Sequence, residues 1–191
     1  MKTHWKIFVV LSLFIAFFDI LFIWINYRAA NTELSRNLYQ TDAKIFSSFQ
    51  LAQENTEIQM LQLATFIAEN ERIQQLFLAG KKAVKVEGGG GGGDRAAAIR
   101  KELYSLVEEP RRKLAELYDF RQLHFQLAPG ALSFLRAHQP EEFGDRLDDI
   151  RPIMVSVNGD QQPASGIESG RFHSAIRGVF PIFAWDKELK T

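Results

Sequence analysis

The first apolar stretch of the chain is long enough to cross a lipid bilayer. It runs from Ile7 to Ile25 as IFVVLSLFIAFFDILFIWI, and only Ser12 and Asp19 interrupt it. As a helix, this stretch extends roughly 28 Å, close to the thickness of a hydrocarbon core. It is longer than the apolar region of a signal peptide and does not end in a small-residue cleavage site. We therefore expect residues 7–25 to form an uncleaved transmembrane helix.

The flanks of this stretch predict its orientation. Lys2 and Lys6 precede it, and basic residues favour the cytoplasmic side of membrane helices, so we expect residues 1–6 to lie in the cytoplasm. Asp19 either faces a polar path or is protonated or buried against a second copy. We favour the second alternative, because no basic residue accompanies Asp19 within the span.

The next segment has helical periodicity without a break. Asn31 to Ala79 contains neither proline nor glycine, and its apolar residues recur at helical spacing. The pattern predicts one long extracytoplasmic helix over residues 26–80, with Gly80 as its C-terminal stop. Such a helix far exceeds the average of about 11–12 residues in globular domains. It needs a partner to lean on, and we expect a homodimer.

A glycine-rich connector is predicted over residues 81–94. Gly88–Gly93 is a run of consecutive glycines, but the Lys and Ser/Thr of a phosphate loop do not follow it. A flexible linker is therefore the better interpretation. Asp94 follows the run and is predicted to cap a second helix, which continues to Tyr118 or Phe120 and contains Pro110, the expected site of a kink.

After Phe120 the pattern changes from helical spacing to strands. Gln122–Leu127 alternates polar and apolar residues, Ile153–Val157 precedes the turn residues Asn158–Asp160, and Ser174–Phe183 reads as a further strand. The chain is thus predicted to be α+β, with residues 95–191 forming an antiparallel sheet module. Its last residues, Trp185–Thr191, are typical of a turn before a closing strand, so the module is expected to be cut before that strand.

Composition excludes several classes of function. Lys plus Arg and Asp plus Glu are equal at 23 each, so the chain lacks the basic excess of a nucleic-acid-binding protein. Cysteine is absent, and the spacing of the histidines matches no zinc site, so we expect neither a metal nor a cofactor. Serines lie near His173, but no nucleophile elbow occurs, and the chain is not expected to be an enzyme.

Several motifs resemble one known family. They are Leu123–Pro129 (LHFQLAP), Phe134–Glu141 (FLRAHQPE), Phe143–Asp145 (FGD), Arg151, Gly166–Arg171 (GIESGR) and Ile176–Ile182 (IRGVFPI). Together they resemble the double Cache sensor domains, PAS-like extracytoplasmic modules of chemoreceptors, sensor kinases and diguanylate cyclases. Within that family the pattern is similar to the double sensory domain of two-component sensors.

The chain departs from the family pattern at three places. Gln126 stands where a second histidine is common, Ala128 stands where proline is common, and the hexaglycine run is foreign to the pattern. What the resemblance implies is a long membrane-proximal helix that carries a membrane-distal sensor module. It also implies a bacterial inner-membrane receptor, with the sensor periplasmic or extracellular and with an output domain beyond this chain.

Five residues are candidates for ligand binding. Arg136, His138, Asp145 and Arg151 surround the FGD turn, and guanidinium groups suit a small polar or anionic ligand such as a carboxylate. His124 lies on the predicted strand before them. The alternative is structural: Arg136 and Asp145 form an internal ion pair, His138 is a turn residue and His124 bonds a backbone group.

Two functions from different classes remain open at this point. The first is a ligand-sensing module whose long helix carries a displacement to the membrane. The second is a membrane-tethered structural or protein-interaction module that has no small ligand.

Overall fold

The protein is described by a computed structural model that covers residues 2–170 and 173–183. Arg171 and Trp185–Thr191, the latter with its predicted turn, lie outside the described residues. The elements, in chain order, are α1 (Lys2–Ala68), α2 (Glu71–Val86), α3 (Asp94–Tyr118), β1 (His124–Leu127), β2 (Leu132–Arg136), α4 (Pro152–Asp160), β3 (Ala164–Ser169) and β4 (Ser174–Val179). The predicted α+β class is confirmed.

The chain divides into two compact units, with the boundary between Ala52 and Gln53. In the first unit, α1 is long and apolar enough to cross a membrane, and its most apolar window has a mean hydropathy of 2.7. Its large apolar side chains, such as Phe8, Phe14 and Phe22, are exposed around the helix. A helix that is apolar on all sides is typical of a membrane span.

The predicted unbroken helix over residues 26–80 is wrong in its second half. Helix α1 ends at Ala68, and α2 begins after Asn70, whose extended backbone interrupts the helix. The Asn70 side chain accepts hydrogen bonds from the backbone N–H groups of Arg72 and Ile73, both at 3.1 Å. Asparagine is a preferred N-cap because it satisfies otherwise unpaired donors, and this gain compensates for the break.

Gly80 does not end the helix, as the sequence predicted, but lies inside α2. A side chain at this position would overlap the ring of Phe134, which is almost completely buried. The glycine therefore lets β2 approach the helix closely. Phe77, one turn earlier, completes the contact, because its ring centroid lies 6.1 Å from that of Phe134 and 5.9 Å from that of Phe125.

The core of the second unit forms where α2 and α3 pack against β1 and β2. Leu103 of α3 and Leu135 of β2 are fully buried there. Helix α3 runs through Pro110 to Tyr118. Within the described residues, the strands form two antiparallel pairs, β1 with β2 and β3 with β4.

The predicted strand Ile153–Val157 is wrong, because these residues form α4. Pro152 occupies the first helical position, where its missing N–H costs nothing. The next N–H, that of Ile153, donates to the Glu168 carboxylate at 3.1 Å. The helix ends at Asp160, and the next residue, Gln161, adopts a left-handed backbone conformation. A five-residue segment with four apolar residues fits either element, and the cap supplied from β3 favours the helix.

The glycine run forms a hydrogen-bonded turn, and the connector is shorter than the predicted 81–94. Helix α2 continues to Val86, so the connection between α2 and α3 shrinks to Glu87–Gly93. Glu87, rather than the predicted Asp94, caps α3. Its carboxylate accepts hydrogen bonds from the N–H groups of Gly93, Arg95 and Ala96 at 2.8–3.0 Å.

The Arg100 side chain contacts both this turn and the FGD turn. Its guanidinium donates to the carbonyl oxygens of Gly91 and Phe134 and lies 3.5 Å from the ring centroid of Phe143. The backbone of Gly144, the next residue, lies against Gly91 and leaves little room for a side chain. One buried arginine therefore orders both turns through backbone carbonyls and cation–π contact.

The ordered turn predicts that two glycines of the same run tolerate substitution differently. Gly90 and Gly92 both have positive φ, so alanine costs each about 1–2 kcal/mol of backbone strain. An alanine side chain at Gly90 meets open space, whereas at Gly92 it overlaps the buried Ala96 side chain. We expect Gly92→Ala to lower the free energy of unfolding by a further ~1–3 kcal/mol relative to Gly90→Ala. Equal unfolding midpoints for the two variants would contradict the ordered turn.

Candidate functional site

The second unit contains a cavity of about 750 Å³. Its walls come from the last turns of α1, the segment that leads into β1, helix α4 and strand β4. This volume lies within the range of pockets that bind small molecules. The elements around the cavity fix which side chains reach it.

Strand pairing places two charged residues on the same face of the β3–β4 hairpin. Gly166 lies opposite Arg177 and Glu168 lies opposite Ala175, so the side chains of Glu168 and Arg177 point to one face. Helix α4 covers this face, because its Ile153 N–H bonds the Glu168 carboxylate. The opposite face of β4 carries Gly178.

Two guanidinium groups share the Glu168 carboxylate, and we call these three residues the charged triad. Glu168 Oε2 lies 2.9 Å from Arg177 Nε and 3.7 Å from Arg151 Nε. The side chains of Arg151, Arg177 and Glu168 are 13%, 18% and 3% exposed. Burial, together with the positive charge of Arg151, lowers the pKa of Arg177. The triad therefore holds one uncompensated positive charge at the wall of the cavity.

The Glu168 carboxylate does not occupy all the donors of the two guanidinium groups. Arg177 Nε forms the closer ion pair with Glu168 Oε2, at 2.9 Å, and Arg151 Nε lies farther away, at 3.7 Å. Arg151 also donates to the carbonyl oxygen of Ile150 at 2.8 Å, and Arg177 donates to the Gln122 side chain at 3.3 Å. A buried charge without a full partner is costly, so an anion that enters the cavity gains both charge pairing and hydrogen bonds.

A neutral polar network lies beside the charged triad. His124 Nε2 is 2.9 Å from the Ser133 hydroxyl, and His124 Nδ1 is 3.2 Å from Gln126 Nε2. Burial, together with the positive charges of Arg136, His138 and Arg151, lowers the pKa of His124 to about 3. The imidazole is therefore neutral near pH 7. The buried Gln126 Oε1 makes no hydrogen bond within the described part of the chain.

The structure separates the five predicted site residues. Arg151 and His124 line the cavity, whereas Arg136, His138 and Asp145 do not belong to its lining. Arg136 donates to Asp145 Oδ2 at 2.7 Å and to the Glu142 carbonyl oxygen at 2.8 Å, so this pair orders the FGD loop, as the structural alternative predicted. His138 is partly buried, which lowers its pKa. His124 bonds side chains and not the predicted backbone group.

Sequence reasoning missed Glu168 and Arg177. The available signal was a charged residue inside each strand, since Glu168 follows Ile167 and Arg177 stands between Ile176 and Gly178. A charge in a strand whose neighbours are apolar or small is either exposed or paired. Only the β3–β4 register and the docking of α4 show that these two residues are buried and paired.

Neither a metal site nor a cofactor motif emerges from the residues that the structure describes. Within 2–170 and 173–183, no three His, Cys, Asp or Glu side chains gather closely enough to hold an ion. The chemistry of the cavity is that of two guanidinium groups, one carboxylate and neutral polar groups. This set can bind a small anion without a metal.

Comparison with protein families gives a match over most of the chain. The family model described as "Double sensory domain of two-component sensor kinase" matches residues 36–189, which is most of the chain. Neither the curated proteins nor the solved structures contain a match.

The lowered pKa of His124 predicts a specific dependence of stability on pH. The folded pKa is about 3 and the ordinary value is 6.5, so the unfolded chain takes up this proton first as the pH falls. The free energy of unfolding should therefore decrease between about pH 6.5 and pH 3, by at most about 1.4 kcal/mol per pH unit from this group. Unfolding of wild type and His124→Gln, followed across this range, should show a shallower slope for the variant. Identical slopes would contradict a buried, neutral His124.

Proposed function

The chain belongs to the family of double sensory domains of two-component sensor kinases, and from this premise we propose that it is the ligand-sensing module of a transmembrane signalling receptor. The receptor is a sensor kinase, a chemoreceptor or a diguanylate cyclase, whose cytoplasmic output domain lies outside this chain. The observation that carries the proposal is the uncompensated positive charge of the triad at the cavity wall. The ligand is a small polar or anionic molecule.

In this proposal the module lies outside the cytoplasm of a bacterial cell. The apolar part of α1 anchors the protein in the inner membrane, with the first residues in the cytoplasm and the second unit in the periplasm or the extracellular space. The mean hydropathy of α1 and the membership of an extracytoplasmic sensor family support this arrangement. The chain itself acts by binding and performs no catalysis.

Strand β4 offers a direct route from the cavity to α1. Gly178 follows Arg177, so a side chain at this position would point to the opposite face of the hairpin. The backbone of Met60 and Leu61 in α1 lies so close to that face that no side chain would fit. A ligand that repositions Arg177 therefore moves a strand that is in contact with α1. Packed elements shift as units and do not deform continuously, so the displacement passes to the helix.

The receptor is proposed to work as a homodimer. Along α1, beyond the apolar segment, large apolar side chains remain exposed, and these are Leu34, Ile45, Phe46, Phe49, Leu51, Ile58 and Phe66. A parallel helix from a second copy would bury those that lie on one side of α1. The same exposed side chains favour the alternative function, in which the chain is a tethered interaction module and the cavity has no ligand.

A ligand screen on Arg177 variants tests the sensing proposal. The full chain in lipid nanodiscs is screened by thermal unfolding against small polar and anionic metabolites. A ligand at a concentration 100 times its Kd should raise the unfolding midpoint by about 5–10 °C. The same compound should give little or no rise with Arg177→Gln or Arg151→Gln, because the charged partner is lost.

Arg112→Gln is the matched control for this screen. Arg112 lies on α3, away from the cavity, where it makes exposed ion pairs with Glu109 and Glu116. This variant should keep the full ligand response. A response that persists in both Arg177→Gln and Arg151→Gln contradicts the proposed site. If no compound raises the midpoint of the wild type, the interaction module becomes the better account.

A further inference from the structure

The charged triad limits how much negative charge a ligand can bring into the cavity. Two arginines and one glutamate carry one net positive charge, and all three side chains are largely buried. The other charged lining residues, Lys81, Asp119 and Arg121, are exposed at the rim, where solvent screens them. One negative charge therefore neutralises the buried part of the site, and a second one would remain uncompensated.

The remaining walls of the cavity are rich in apolar side chains. Met154 and Val157 of α4 lie beside the triad, Val179 continues β4 on the same face as Arg177, and α1 contributes Met60, Leu63 and Ile67. Val157 and Val179 are buried, and the others are partly buried. These apolar parts of the walls cannot satisfy a second carboxylate, but they gain about 25 cal/mol for each Å² of apolar ligand surface that they remove from water.

From these two observations we infer that the ligand is a monocarboxylate with an apolar body, and that Glu168 is the residue that excludes dianions. This inference rests on the proposed function and narrows its ligand class. The carboxylate binds between Arg151 and Arg177, and the body lies along the apolar walls. Glu168 keeps both guanidinium groups in place. It also neutralises the positive charge that a second carboxylate of the ligand would otherwise pair with.

Glu168 is suited to this role because the fold fixes its carboxylate. Its Oε1 accepts the hydrogen bond from Ile153 N–H at the first turn of α4, so the side chain cannot leave the triad without uncapping the helix. This fixed carboxylate already offsets one of the two guanidinium charges, so the second charge of a dianion would find no buried positive charge left to pair with. Like charges in a partly desolvated site repel strongly, which gives selectivity against the dianion.

Three six-carbon probes separate charge from size. Hexanoate carries one carboxylate, adipate carries two, and 1-hexanol carries none. Calorimetry on the full chain in nanodiscs at pH 7 should give hexanoate the highest affinity, at least about tenfold above each of the other two probes. Arg177→Gln should weaken hexanoate binding roughly tenfold to a hundredfold, whereas Arg112→Gln should leave it unchanged.

The Glu168→Gln variant makes the test specific to the charge count. A neutral amide of the same size raises the net charge of the triad to two positive charges. The affinity for adipate should therefore rise at least about tenfold relative to the affinity for hexanoate. Glutamine also keeps an oxygen that can accept the Ile153 hydrogen bond. The ratio of the two affinities is measured on folded protein, so a modest loss of stability does not affect it.

The possible failures point to different conclusions. If adipate binds the wild type through Arg177 at least as tightly as hexanoate, the inference is overturned, while the proposed sensing function stands. An unchanged adipate-to-hexanoate ratio in Glu168→Gln also overturns it. If 1-hexanol binds as tightly as hexanoate, the cavity recognises only an apolar body, and the charged triad has no part in ligand choice. If hexanoate does not bind, the inference is wrong, and the metabolite screen then tests the sensing proposal independently.

Discussion

The two-residue period of strand β4 is the constraint on which the rest of the account depends. It places Arg177 on the face that α4 covers and Gly178 on the face that α1 covers. The two positions cannot be moved independently, because a shift of one residue in register would turn the arginine into α1 and leave the glycine in the cavity. A single strand thus carries both the charge that can hold a ligand and the surface that contacts the long helix.

The buried carboxylate of Glu168 holds the elements around the cavity together. It joins β3 to the first turn of α4 and to two arginines, so one side chain connects three parts of the fold. Charge burial of this kind is rarely favourable for stability alone, and a well-packed apolar cluster often serves equally well. The triad is better understood as a site with a fixed charge deficit, which is how a binding pocket selects an anion.

The sequence could predict the elements whose determinants are local. The sequence predicted the helical segments, the apolar run of α1, strand β1 and most of β4. It also offered the Arg136–Asp145 ion pair as one of two alternatives, because the two residues lie only nine positions apart. Several of the failures share one physical cause, which is a contact from a remote residue, whereas the helix break at Asn70 comes from a local cap. Glu168 turns Ile153–Val157 into a helix, and Phe134 makes Gly80 a packing position rather than a helix end. The pairing of Glu168 with Arg177 likewise exists only after β3 and β4 have paired.

Hydrogen–deuterium exchange on α1 tests the central claim that β4 couples the cavity to the long helix. Exchange across residues 53–68 is followed in the full chain with and without a compound that binds the cavity. We predict that binding changes the protection of amides around Met60 and Leu61, and that Arg177→Gln abolishes this change. If binding alters exchange only in α4 and β3, while the amides around Met60 keep the same rates, the cavity is not coupled to α1 and the account is wrong.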